Sequence, residues 1–272
     1  MTLSVRTRTE LSSLTGPWVG MGVQFALLGA LAIEVGLSAA GWLLGAAYAG
    51  VTCAALTLAM RRSGARALGP ANQVTLARAT LVGGVAALVA SSFSRPVPVA
   101  VLVTLAAVAL ALDAVDGQVA RRTNSTSALG ARFDMEVDAF LILVLSAYVA
   151  RPLGAWVLAI GALRYAFVAA AWLLPWLRGT LPHRFTRKVV AATQGIVLAV
   201  ASSGLLSQPM AVVLVGASLA VLVWSFGRDI GLLWQAAHRA PTQPRSVFVD
   251  FIPMPLPQAP AMRPRLTARV SR

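Results

Sequence analysis

Cysteine occurs once in the 272 residues, as Cys53 in the middle of an apolar run, which leaves no disulfide framework and no cysteine-based metal site. Histidine occurs twice, as His183 and His238, each in or near a basic stretch and neither with a partner at metal-ligand spacing. Charge is scarce. Only 12% of residues are charged, against about 25% in an ordinary soluble domain, and nine carboxylates serve the whole chain. Alternation with period two is missing as well, which argues against a membrane β-barrel.

What the chain has instead is oil. Hydrophobic residues make up 58%, and the mean hydropathy is +0.76. They gather in eight long runs, at about 17–36, 38–60, 72–92, 97–119, 130–150, 154–176, 188–207 and 209–234. Roughly 20 apolar residues cross a bilayer as a helix. The expected fold class is therefore an all-α integral membrane protein with about eight transmembrane helices. Arg6 and Arg8 before the first run resemble the start of a secretory signal, but the run is long for one and a second follows at once, so a retained helix is expected.

The formal net charge of +14 raises nucleic acid as a partner, and its placement argues against that. With a cytosolic N-terminus, the inner loops hold Arg61, Arg62, Arg66, Arg121, Arg122, Arg178, Arg184, Arg187 and Lys188. The C-terminal tail adds six more arginines on the same side, whereas the outer turns hold only Arg95 and Arg151. This is the asymmetry of the positive-inside rule, in a bacterial-type cell membrane whose anionic lipid would attract the inner loops. Both termini are then cytosolic.

Four parts are expected along the chain. Residues 1–60 form a two-helix membrane hairpin, and 61–69 a basic cytosolic linker. Residues 70–236 form a six-helix body that opens at Pro70, a residue suited to a first helical turn. The proline- and arginine-rich remainder, 237–272, reads as a disordered cytosolic tail.

Five of the nine carboxylates fall in one stretch, DAVDGQVARRTNSTSALGARFDMEVDAF at 113–140. Asp113 and Asp116 are three apart near the cytosolic end of the fourth run; Asp134 and Asp138 are four apart near the start of the fifth. Each pair shares a helix face. Two antiparallel helices thus offer carboxylate pairs to each other at one membrane depth, where they repel unless cations neutralise them. All-oxygen ligands suit Mg²⁺ or Mn²⁺, magnesium commonly keeps substrate phosphates among its ligands, and paired ions recur in phosphoryl displacement. Glu136 lies off the shared face and reads as a bystander.

The spacing Asp-x2-Asp-Gly-x2-Ala-Arg-x8-Gly-x3-Asp-x3-Asp, filled by Asp113, Asp116, Gly117, Ala120, Arg121, Gly130, Asp134 and Asp138, resembles the signature of the CDP-alcohol phosphotransferases. The resemblance covers about residues 70–235, and the six-span body agrees with the six-helix core of that family. It implies metal-dependent transfer from a CDP-linked lipid, CDP-diacylglycerol in the first instance, to an alcohol, with CMP released. Two metal ions would lie on Asp113, Asp116, Asp134 and Asp138, with Asp138 also the general base. Gly117, Ala120, Arg121 and Gly130 would serve the nucleotide. Upstream, Asn72, Thr75 and Arg78 recur every three residues and look like the stripe that lines the nucleotide site in that family. Dimerisation is common there and is an expectation here.

Arg164 lies about ten residues from either end of its run, too deep for easy snorkelling, and reads either as a cavity residue or as the partner of a carboxylate. Arg184, Arg187 and Lys188 read as positive-inside charge or as a phosphate site for donor or acceptor. The acceptor stays open. Family members using glycerol 3-phosphate or inositol 1-phosphate often have proline after the third aspartate, where this chain has Met135, and no Lys or Arg occurs from Val189 to Phe226. Transfer of a CDP-linked small alcohol to diacylglycerol, and a non-catalytic transporter or scaffold, are the alternatives. Transporters favour midplane acids and internal repeats, and neither is visible.

Overall fold

The structure is a computed structural model, and it describes residues 3–63, 69–122, 128–179 and 185–239, with residues 3–15, 116–117, 119–122, 185–188 and some single helix-end positions described by backbone alone. Eight α-helices run in order: α1 Leu3–Glu34, α2 Ala39–Ser63, α3 Pro70–Ser92, α4 Val99–Arg122, α5 Ala128–Leu153, α6 Leu158–Leu173, α7 Phe185–Ser202 and α8 Gln208–Arg239. No strand occurs among the described residues. Every described element belongs to one unit, Met1–Pro241. The expected tail, from residue 240 on, and most of the basic linker, 64–68, lie outside the described residues.

Each apolar run corresponds to one helix, and the differences lie at the ends. Helix α1 starts fourteen residues before its apolar run, because the polar segment ahead of it is also helical (Leu3 against residue 17). The run at 154–176 is broken. A 3₁₀ turn at Ala155–Val157 precedes α6, and another at Pro175–Arg178 follows it, with Gly154 and Leu174 as the joints. Proline disfavours helical geometry in the residue before it, and Leu174 is extended for that reason (φ −119°, ψ 90°). Among the described residues, five helices are long and apolar enough to cross a membrane. The apolar parts of α4 and α7 are shorter, Val99–Val115 and Val189–Ser202, because charge enters α4 in its last turns and α7 at its start. Apolar length and composition together make this an integral membrane protein.

Helix α3 is the axis of the bundle. Of its apolar stretch 72% is buried, against 22–28% for the other four long stretches, so it is enclosed by protein where they are largely uncovered. It packs against α1, α2, α4 and α5, and its Val82, Val85, Ala86 and Leu88 are fully buried. Helix α5 then joins α3 to α6 and α7.

The N-terminal hairpin is locked to this axis. The backbone N–H and the hydroxyl of Ser38 both reach the Ser91 hydroxyl, at 3.1 and 3.2 Å. Gly41 of α2 meets α3 so closely that a Cβ there would lie 2.6 Å from the Ala87 carbonyl oxygen. Small residues permit such backbone approach between membrane helices. A second close approach joins α5 and α6, where Gly161 faces the backbone of Leu143.

Candidate active site

The antiparallel course of α4 and α5 brings the two halves of the acidic motif together. Side-chain oxygens of Asp113, Asp134 and Asp138 all lie within 4.8 Å of one another, and among the described residues no other trio of acidic, histidine or cysteine side chains comes so close. Each carboxylate is about one third exposed, at 36%, 37% and 34%. Asp134 and Asp138 are one turn apart on α5, so their common face is a product of helical spacing. Asp113 reaches them from the C-terminal half of α4.

A third helix supplies the cation. Arg78, on α3 and 1% exposed, forms ion pairs with Asp113 Oδ1 and Asp134 Oδ1, and its Nη2 lies 3.0 Å from Asp138 Oδ1. Nη2 also donates to the Asp134 backbone carbonyl at 3.1 Å. Burial of a guanidinium is costly without anionic partners, and the three carboxylates supply them.

The remaining sequence-derived residues divide into three groups. Thr75 is 3% exposed and donates to the Ala71 carbonyl at 3.1 Å, one turn toward the start of α3, while Asn72 is half-buried and Gly130 buried. Asn72, Thr75 and Arg78 thus lie on the same stripe as expected. Asp116, Gly117, Ala120 and Arg121 lie in the last turns of α4, and Arg187 and Lys188 in the first turn of α7, all with side chains outside the described part; Arg184 lies outside the described residues altogether. Arg164 takes the second of its two readings. Its Nη2 lies 2.5 Å from Glu136 Oε1, so the off-face carboxylate of α5 is the partner of α6 rather than a bystander. Arg178 caps the end of α6, donating to the Ala171 carbonyl at 2.8 Å.

Two groups escape sequence reasoning. Asp229 is only 8% exposed on α8, beside Arg228 at 3.7 Å, and Arg228 in turn covers the Trp224 ring at 5.1 Å. An acid inside the eighth apolar run was a visible signal. Tyr48 of α2 stacks on Phe140 of α5 with ring centroids 4.6 Å apart and planes 13° from parallel, two residues beyond Asp138. Its ring links the N-terminal hairpin to the helix that carries two of the aspartates. Tyr48→Ala is expected to cost about 2 kcal/mol, and Tyr48→Phe, which keeps the stacked ring, less than about 1. Thermal unfolding in detergent reads the difference, and equal losses would remove the stack as its source.

The metal question has a direct test in the donor set. Three hard carboxylate oxygens, converging and partly open, fit a magnesium- or manganese-type ion, which prefers oxygen ligands.

A family model described as CDP-alcohol phosphatidyltransferase matches residues 68–224. No match was found among curated proteins or solved structures. The matched segment opens just before α3, ends inside α8, and contains Arg78 and all the aspartates of the motif, leaving α1 and α2 outside. With the spacing, the converged carboxylates and more than half of the chain in agreement, this protein belongs to the CDP-alcohol phosphatidyltransferase family, membrane transferases that form phospholipids from a CDP-alcohol.

Proposed function

We propose that the chain transfers a phosphatidyl-type group from a CDP-linked lipid, CDP-diacylglycerol, to an alcohol acceptor and releases CMP. The convergence of Asp113, Asp134 and Asp138 from two motif-spaced helices carries this reading. Asp113, Asp116, Asp134 and Asp138 would hold Mg²⁺ or Mn²⁺, as two ions. Bound there, divalent cations supply positive charge to the pyrophosphate and to the oxygen that departs with CMP.

Asp138 takes the hydroxyl proton of the acceptor as its oxygen bonds to the phosphorus that bears the lipid. The bond from that phosphorus to the bridging oxygen breaks, and the electron pair leaves with CMP. Arg121, one turn beyond Gly117 on α4, would serve the nucleotide phosphates, and Asn72 and Thr75 the nucleotide site from α3. Arg184, Arg187 and Lys188 provide cationic contacts for a phosphate of donor or acceptor. The distribution of arginine supports a cytosolic position for this end of the bundle, where nucleotide and acceptor would arrive from water while the lipid tails stay in the bilayer.

The test is CMP release in proteoliposomes containing CDP-diacylglycerol, with Mg²⁺ or Mn²⁺, across glycerol 3-phosphate, inositol 1-phosphate, inositol and serine. A parallel arm supplies a CDP-linked amino alcohol with diacylglycerol. Release is expected in the first arm and at least about 100-fold less after strict chelation. Release in the second arm alone would reverse the polarity of the reaction. Folded protein inactive in both would return the chain to a scaffold role.

A further inference from the structure

The side chain deepest in the site is its cation. Arg78 is 1% exposed whereas its three carboxylates are 34–37% exposed, so the guanidinium forms the floor and the carboxylates the walls. It contacts Oδ1 of Asp113, of Asp134 and of Asp138, and the Asp134 carbonyl, tying α3 to α4 and to α5.

We propose that Arg78 is a positioning residue, a fixed internal counter-charge that sets the spacing of Asp113, Asp134 and Asp138 before any ligand arrives. Three physical points support it. Carboxylates within 4.8 Å of one another repel and would splay without a cation between them. A guanidinium is planar and permanently charged, and its fork of donors can bind several oxygens at once, which an ammonium holds less well. Leaving the floor would strand a buried charge among apolar neighbours, so the guanidinium stays while a ligand binds. The role differs from that of a nucleotide contact, which the stripe on α3 suggests, because Arg78 is turned inward to the aspartates. It rests on the proposed function only in taking a divalent cation as the ligand of the triad.

Mn²⁺ binding to the purified full-length chain, followed by electron paramagnetic resonance without nucleotide, tests this apart from turnover. Arg78→Gln is expected to weaken Mn²⁺ binding by about 10- to 100-fold, the usual loss when a group supporting metal ligands is removed. Arg78→Lys should recover only part of that loss. Unchanged or tighter Mn²⁺ binding in Arg78→Gln, or a defect confined to the KM for the donor, would overturn the proposal. If Arg78→Gln does not fold, Arg78→Lys decides, since wild-type affinity there would show that a point charge suffices. Wild-type protein that binds Mn²⁺ but releases no CMP would sink the transfer reading and leave the role of Arg78 standing.

Discussion

Asp138→Asn is expected to lower acceptor transfer by about 1,000-fold or more while leaving nucleotide binding largely intact. The substitution is nearly isosteric, and the amide oxygen can still accept from Arg78, which now lies 3.0 Å from Asp138 Oδ1. What disappears is the ability to take a proton and one negative charge facing the cation site. Positioned general bases contribute roughly 100- to 10,000-fold, and loss of an anionic ligand adds to that. The assay is transfer of radiolabelled acceptor into lipid, beside binding of labelled CDP. Turnover within a few-fold of wild type would remove Asp138 as the base, whatever became of metal binding. Asp113→Asn, which keeps the proposed base, should act chiefly through weaker cation binding, so excess Mn²⁺ should restore it in part and should not restore Asp138→Asn.

Gly161→Val should be the most damaging single change far from the aspartates. A Cβ at this position would lie 2.5 Å from the Leu143 Cα and 2.6 Å from the Ser146 hydroxyl. The first of these is backbone, which cannot swing aside as a side chain can. Helices α5 and α6 must therefore separate, at a cost of about 3 kcal/mol or more, or roughly 6–12 °C in melting temperature. Because Asp134, Glu136 and Asp138 ride on α5, activity should fall along with stability, and displacement of reacting groups by about 1 Å can cost on the order of 100-fold. A variant that melts with the wild type would show that the two helices are free to part. Gly22→Val, whose added Cβ would meet nothing within 4 Å, is the matching control.

Hydropathy alone located all eight helices of the described residues, five of them long and apolar enough to cross a membrane, since a helix that satisfies its own backbone in lipid leaves a long apolar run. It read 154–176 as one span, although Gly154 and Pro175 already mark the places where the helix breaks. The acidic motif was legible because helical spacing puts Asp134 and Asp138 on one face whatever surrounds them. The partners of charged residues were less so. The stripe Asn72–Thr75–Arg78 fixes a face of α3, but the sequence does not say which helix that face meets, and contacts spanning 35 and 56 residues leave no local mark. Arg164 and Glu136 show the same limit: both were evident as charges in oil, and only the packing of α5 on α6 pairs them. Tyr48 had no signal at all, because an aromatic residue in an apolar run looks the same whether it faces lipid or a neighbouring helix.

The burial of Arg78 ties formation of the acidic cluster to formation of the core. Its carboxylate partners lie 35 and 56 residues further along the chain, so the guanidinium gains them only when α4 and α5 pack on α3. A buried arginine without anionic partners is costly. The packing of the central helix and the convergence of the aspartates therefore depend on each other, and neither is complete alone.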